Sequence, residues 1–473
     1  MMGSQGKFFR SFSRVELQTL SFVIFTGFFF ISVTLLVLSA GHFVSLPSLG
    51  SWLSPRASPL PRAGENDTNN QNVDLRRKPL CDTSDRRADI CDMEGDIRIQ
   101  ASSSSIFFVT SSIRNTTELQ QSWKIKPHPR KGDRPAMSGV TEMSVGYLSP
   151  KQDVPKCDIN STVPAIIFAT GGYMGNFFHE VSDSIIPLYI SSHKFNGEVQ
   201  FLVSEMLPWW MTKYERLLKK LSHHEIINFN KDAMVRCYPR VIVGIAFHKD
   251  MGIDPARSGG VTMFDFGRFI RSTYSLERKT ATKLQGANPE KRPRLLIIAR
   301  SRTRRFTNVN EIVQMVGWEG FEPVVAEIKK NQSIAEFARL VNSCDVILGV
   351  HGAGLTIRTK LLLLTNLIFL PTNAVVIQVV PLGGMDSFCY ADYGVPTLEM
   401  KMKYLQYGIG VMESSLVDRY GITDPVVINP KSVQVQKEGW SNWTSIYFFN
   451  QDVKLDVDRF RSFLIHAREL LRE

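Results

Sequence analysis

The sequence predicts an α/β protein in which two parallel sheets, each flanked by helices, face one another across a cleft. Three observations lead there. Short β-branched apolar runs alternate with stretches of helical period, the pattern of parallel strands buried on both faces. Two of those runs, Ala165–Ala169 and Asp345–Val350, stop at glycine-rich turns from which helices are expected to start. A polar stretch from Lys279 to Arg294, containing Asn288-Pro289, divides the strands into two sets.

The elements follow in order. The chain of 473 residues, 43% hydrophobic, is long enough for two or three domains with real cores. Leu17 to Ala40 is an uncharged apolar run. As a helix it would extend about 36 Å, enough to cross a bilayer. Lys7, Arg10 and Arg14 precede it and no charge follows until Arg56, which places the N-terminus on the cytosolic side. A cleaved signal peptide ending at Leu38-Ser39-Ala40 is the competing reading, against which the apolar core is unusually long. Mean hydropathy is −0.08 with no second long apolar run, which argues for a single span. From Gly41 to about Lys78, Pro, Ser, Asn and Arg replace the apolar periodicity, as in a flexible stem.

Expected strands are Ala165–Ala169, Gln200–Val203, Val241–Ala246, Leu295–Ala299, Pro323–Ala326, Asp345–Val350 and Val375–Val380. Expected helices are Asn176–Ser184, Trp209–Ser222, Phe264–Leu284 and Ser333–Asn342. The resulting layout is a cytosolic tail (1–16), a membrane anchor (17–40), a stem (41–78), a first α/β domain (79–285) and a second (286–425). A C-terminal segment (426–473) is expected to pack back across both.

Asn66, Asn115, Asn160, Asn331 and Asn442 each begin an N-glycosylation sequon. Cys81 and Cys91 suit a small disulfide loop, Cys157 and Cys237 are a second candidate pair, and Cys344 reads as a buried free thiol. No Cys/His spacing suggests structural zinc. The net charge of +11 comes from scattered residues, the stem, and Arg300 to Arg305. Without a recognition motif, this excludes nucleic acid as the partner and suits an anionic glycan or a nucleotide diphosphate.

Three motifs carry chemistry. Cys344 to Leu355 reads as a strand running into the His351-Gly352-Ala353-Gly354 turn, whose backbone N–H groups and helix start make an anion seat. Gly171 to Asp183 follows the first strand. There Asn176 is placed to cap a helix, and Phe178, Val181 and Ile185 share its core face. His179 and Asp183, four apart, meet as a base and its orienting carboxylate, or as an ordinary surface pair. Arg300 to Asn308 puts arginines at a strand's carboxyl end, suited to bidentate diphosphate contacts. Glu327, ending the next strand, is placed to accept from ribose hydroxyls.

Cys81-Asp82…Cys91-Asp92, the run 171–183, Arg300…Arg304, the run 349–356 and Phe369-Leu370-Pro371 together resemble the plant branch of glycosyltransferase family 61. That branch holds xylan arabinosyl- and xylosyltransferases and relatives of the N-glycan core β-1,2-xylosyltransferase. The likeness extends from about Cys81 to the C-terminus. It implies a GT-B architecture of two Rossmann-like domains, an inverting mechanism, and a single-pass type II protein of the Golgi membrane with a lumenal catalytic part. It further implies a UDP-sugar donor, UDP-arabinofuranose or UDP-xylose, and xylan or a related glycan as acceptor. Other Golgi transferases are candidate partners. On this resemblance the donor lies against His351, Gly352, Gly354, Arg300, Arg304 and Glu327. Asp183, or His179 oriented by it, takes the acceptor's proton, with Gly172 and Asn176 in the acceptor-side loop. No metal is expected, since the only Asp-x-Asp tripeptide, Asp456-Val457-Asp458, sits in a C-terminal amphipathic stretch. One departure stands out: Ile357 to Thr365 separates Thr356 from Asn366, which the family pattern joins directly. It is the feature favouring the alternative of a catalytically impaired glycan-binding or scaffold member. Transfer of xylose to N-glycans is a further alternative.

Overall fold

The alternation in Ile90-Cys91-Asp92-Met93 opens the first sheet. Cys91, Met93, Ile97 and Ile99 are buried and the residues between face outward, the period of a half-buried strand. In the computed structural model the described residues are 79–111, 121–284, 292–326, 333–352, 364–430 and 439–473, all within one compact unit, Arg76–Glu473. The expected anchor and stem lie outside them. Among the described residues no helix is long and apolar enough to cross a membrane.

The first sheet has ten strands. They are β1 (Cys81–Asp82), β2 (Ile90–Gln100), β3 (Ser105–Val109), β4 (Ser122–Ile125), β5 (Met143–Leu148), β6 (Ile159–Asn160), β7 (Ala165–Ala169), β8 (Gln200–Ser204), β9 (Ile227–Asn228) and β10 (Val235–Val243). Their order is β4-β5-β3-β2-β10-β7-β8-β9, with β1 on β2 and β6 on β10. The expectation of parallel sheets throughout is corrected here. β10, β7, β8 and β9 run parallel, but β2 is antiparallel to β1, β3 and β10. The link from β2 to β3 is a single turn, Ala101–Ser103, too short for a crossover helix, so the two strands form a hairpin. Disulfides join Cys81 to Cys91 and Cys157 to Cys237, while Cys344 is free and buried.

The second sheet is parallel throughout. β11 (Arg294–Ile298), β12 (Glu322–Ala326), β13 (Val346–Val350), β14 (Val375–Val380) and β15 (Lys403–Gly408) lie in the order β12-β11-β13-β14-β15. Five helices of eight or more residues are labelled: α1 (Pro208–Leu221), α2 (Met263–Thr273), α3 (Val309–Trp318), α4 (Ile334–Asn342) and α5 (Val457–Leu470). The expected Phe264–Leu284 helix stops early, at Thr273. Ser275 takes a left-handed conformation, and Arg278 is drawn off to Asp345, just before β13, and to Asn342, at the end of α4. α4 starts as expected, on a capping box between Ser333 and Glu336, worth about 1 kcal/mol.

Alternate residues of the second sheet sort into two layers. Leu295, Ile297, Val346, Leu348, Val375 and Ile377 pack against Phe460, Leu464 and Ala467 of α5. Leu296, Ile298, Ile347 and Val376 turn the other way. They join a cluster that runs without a break through α2 to Ile166 and Phe168 of β7. A single apolar layer thus lies between the two sheets. A Lys249–Glu399 ion pair adds a polar tie between the two halves of the chain.

Candidate active site

The first wall grows from the turn after β7. Gly172 has φ +68°, and a Cβ there would collide with the His128 ring, so the turn needs glycine. Asn176 caps the helix that follows, its side-chain oxygen accepting from the Phe178 N–H at 3.1 Å. The helix is α over Phe177–His179, π over Glu180–Ile185 and α again over Ile186–Ser192. Phe178, Val181 and Ile185 are buried, as their spacing requires. His179 Nδ1 lies 2.9 Å from Asp183 Oδ2.

Asp183 is fully enclosed. Arg130 Nε donates to its Oδ2 at 2.7 Å and Nη2 to its Oδ1 at 3.2 Å. Burial opposes ionisation of this carboxyl, but the bonds from His179 and then Arg130 outweigh it and hold it below the usual carboxylate range. His179 Nδ1 is contested: Asp183 Oδ2 and Arg130 Nη2 each lie 2.9 Å from it, so a protonated Nδ1 donates to Asp183 and an unprotonated one accepts from Arg130. In the tautomer that donates to Asp183, the far ring nitrogen, Nε2, is the acceptor and has no partner among the described residues. His179 lines the cavity; Asp183 stands behind it.

The second wall is built at the carboxyl ends of β11 and β13. His351 is 1% exposed. Gln378, on β14, places its amide nitrogen 2.6 Å from His351 Nδ1, while its oxygen accepts from the Tyr404 hydroxyl at 2.5 Å. With the amide so assigned its nitrogen donates, and His351 carries its proton on Nε2; the single Tyr404 hydroxyl proton is shared between the oxygens of Gln378 and Gln406. Burial, with Arg304 and Arg300 nearby, pushes His351 well below its ordinary range, and the ring stays neutral. Arg300 spends Nε on the Thr303 carbonyl (2.8 Å) and Nη1 on the Gly352 carbonyl (3.0 Å), bracing the glycine turn.

Arg304 is the unusual member. It is 1% exposed, yet among the described residues its Nε and Nη1 have no hydrogen-bond partner. Its guanidinium lies 4.7 Å from the centre of the Phe448 ring, a cation–π contact. Gly352 must be glycine, because a Cβ would enter that guanidinium. Burial, then the like charge of Arg300, push Arg304 well below the usual arginine range. A buried, unpaired guanidinium costs several kcal/mol, which an anion bound at this place would recover. Its backbone is held from afar: the Arg304 N–H bonds the Gln451 carbonyl at 2.7 Å, and Arg305 pairs with Asp452.

Both walls line one cavity of about 480 Å³, with His179 and Arg130 on one side and Arg304, His351 and Phe448 on the other. Comparison with known proteins bears on this pairing. The sequence model for Glycosyltransferase 61 matches residues 177–377, a span that includes His179, Asp183, Arg304 and His351. Alpha-1,3-arabinosyltransferase XAT2 of Oryza sativa subsp. japonica is 41% identical over 85% of this chain, which covers 66% of the relative, about two thirds of its length. Beta-1,2-xylosyltransferase XYXT1 of the same organism is 42% identical over 83% of this chain and 84% of its own. The chain belongs to glycosyltransferase family 61. Xylan glycosyltransferase MUCI21 of Arabidopsis thaliana, 35% identical, covers 82% of the chain and 78% of its own length.

Of the residues singled out in the sequence, the structure brings His179, Asn176, His351 and Arg304 to this one cavity, with Asp183, Gly172, Arg300 and Gly352 immediately behind it. Glu327 and Gly354 lie outside the described residues, as do Asn66, Asn115, Asn331 and all of the 357–365 segment except Leu364 and Thr365. Those two are buried, and the Thr365 hydroxyl bonds that of Tyr393 at 3.1 Å. Asn160 is exposed on β6. Asn442 is half-buried, two residues from Thr444, which lines the cavity. Asp456 caps α5 by accepting from the Arg459 N–H.

Several site residues of this family 61 chain escaped the sequence reading. Arg130 sits in a Pro-rich loop with φ +111° and no motif around it. Gln378 is one polar residue in an otherwise apolar strand, and that is a signal that could have found it. Phe448 and Asp392 lie on two further π-helical turns, Ser445–Phe449 and Tyr390–Gly394, at the same cavity.

Proposed function

We propose that this family 61 glycosyltransferase is an inverting enzyme of the Golgi lumen that moves a pentose, arabinofuranose or xylose, from a UDP-sugar to xylan. What carries the reading is Arg304, a buried guanidinium without a counter-charge among the described residues, facing a His179–Asp183 pair across one cavity. The acceptor is read by analogy with MUCI21, whose name specifies xylan, and the pentose from the arabinosyl- and xylosyltransferase relatives. The location rests on the apolar run 17–40 with basic residues before it. A GT-B arrangement of domains 79–285 and 286–425 belongs to the same reading.

In this scheme the diphosphate is held by Arg304 and the His351 Nε2–H, with Arg300 fixing the turn. An acceptor hydroxyl attacks the anomeric carbon from the face opposite the diphosphate. The new C–O bond forms as the bond to the β-phosphate oxygen breaks, and the configuration inverts. The hydroxyl proton passes to His179 Nε2, and Asp183 stabilises the imidazolium. The charge developing on the diphosphate meets donors already in place, so no resident metal is invoked.

The test is transfer itself. Purified chain is given UDP-arabinofuranose or UDP-xylose with xylo-oligosaccharides, and the product is read by mass and by anomeric configuration. A pentose added with inverted configuration is expected. Transfer only to N-glycans would move the enzyme to the alternative acceptor class. Donor binding without any transfer would favour the scaffold reading suggested by the 357–365 segment.

A further inference from the structure

Asp392 lies on the π-helical turn Tyr390–Gly394 and lines the cavity beside His179, His351 and Arg304. The next residue, Tyr393, packs its ring 5.5 Å from His351 and 5.9 Å from Phe178, so the turn is wedged between the two walls. Two carboxyls meet here, and they differ. Asp250, from the other half of the chain, is paired with Arg87 at 3.0 Å and Arg130 at 3.5 Å and lies 3.4 Å from the Ser182 hydroxyl. Asp392 has no hydrogen bond or ion pair among the described residues. Burial first, and then the charge of Asp250, push its carboxyl up to about 7, against the pull of Arg130.

The cavity therefore has two electrical ends. Arg304 and Arg300 make one end a seat for phosphate. At the other, Arg87 and Arg130 offset the charge of Asp250, and Asp392 is left with open oxygens that favour neutral groups donating hydrogen bonds. A sugar nucleotide is a ligand of that polarity, its anionic linkage joined to a ring covered with hydroxyls. A carboxylate with two open oxygens can accept from two neighbouring hydroxyls.

We propose that Asp392 reads the donor's sugar ring, its carboxylate accepting hydrogen bonds from the hydroxyls of the pentose to be transferred. This rests on the assignment of the diphosphate to Arg304 and His351. It adds a direction to it: the sugar extends from the arginine end toward Asp392, which brings the anomeric carbon between the two walls. Because hydroxyl donors favour the ionised carboxyl, binding of the sugar ring strengthens as pH rises through the carboxyl's titration and weakens as it falls. The other titratable and charged groups around Asp392 are Asp250, Asp133, Arg130, Arg87 and His179 from the first half of the chain, His351 and Arg304 from the second wall, and Asp386, Cys389 and Tyr393 on its own helical run. Comparing wild type with Asp392→Asn for one ligand cancels their contributions.

The experiment is calorimetry on the purified full chain at pH 6, 7 and 8, with UDP, UDP-xylose and UDP-arabinofuranose. The chains compared are wild type, Asp392→Asn and Arg304→Ala. The expected result is UDP affinity unchanged in Asp392→Asn, with the preferred sugar nucleotide bound about tenfold more weakly at pH 8 and the gap closing toward pH 6. Sugar-nucleotide affinity identical in the two chains at every pH overturns the proposal, and a raised acceptor KM in that case moves Asp392 to the acceptor. Loss of UDP affinity in Asp392→Asn also overturns it, because the residue would then be supporting the phosphate seat. A wild type that binds no uridine nucleotide, or an Arg304→Ala chain that binds UDP as well as wild type, overturns the donor-site assignment itself. That outcome is distinct from failure at Asp392 alone.

Discussion

The two walls of the cavity handle charge in opposite ways. On the first, every charge is matched: Asp183 is gripped by Arg130 and His179, and Asp250 by Arg87 and Arg130. On the second, Arg304 is buried with two nitrogens unbonded, and the histidine beside it is kept neutral. A wall with its charges satisfied is rigid and can hold an imidazole in one orientation. A wall left electrically incomplete is finished by its ligand. The contrast is what the proposed function builds on, with proton transfer at the first and anion binding at the second.

That contrast can be broken most severely at Asp183. Asp183→Asn removes the charge that fixes His179 and is expected to lower turnover by about a thousandfold or more, with UDP affinity unchanged by calorimetry. Retained turnover would take Asp183 out of the mechanism. Arg304→Ala should do the converse, weakening UDP binding by about a hundredfold while thermal unfolding is unchanged or shifts upward, since a buried unpaired charge has been deleted. Gln378→Leu is a subtler probe. Without the amide donor, His351 is no longer held as the Nε2–H tautomer, and UDP affinity should fall about tenfold, with turnover at saturating donor reduced less. The smallest effect is expected at Gly172. Alanine there must take a positive φ and displace His128, lowering the unfolding midpoint by a few degrees, equivalent to about 1–2 kcal/mol. An unchanged midpoint would show that the turn has slack.

Much of this was legible from residues alone, where local pattern and final environment agree. The short β-branched apolar runs of β11, β13 and, apart from Gln378, β14 fit strands buried on both faces, and the His179–Asp183 spacing brings its members together on any helix. What was not legible depends on distant segments. The strands before β7 were missed because short alternating runs joined by turns carry a weaker signal than glycine-terminated ones. The Phe264–Leu284 helix was drawn too long because Arg278 answers to Asp345 rather than to its own helix. Arg130, Phe448 and Asp392 come from three parts of the chain with no shared motif, and no spacing rule could have grouped them.

The hold of the C-terminal segment on Arg304 bears on when the enzyme becomes competent. A growing chain that has passed His351 already contains every donor-side motif recognisable in its sequence. It still lacks Gln451, which bonds the Arg304 backbone, and Phe448, on which the guanidinium rests. Since domains form as the chain is synthesised from its N-terminus, the setting of Arg304 is completed only once this last segment has been made. A product terminated before Phe448 would carry Arg304 without the ring on which it rests or the carbonyl that holds its backbone.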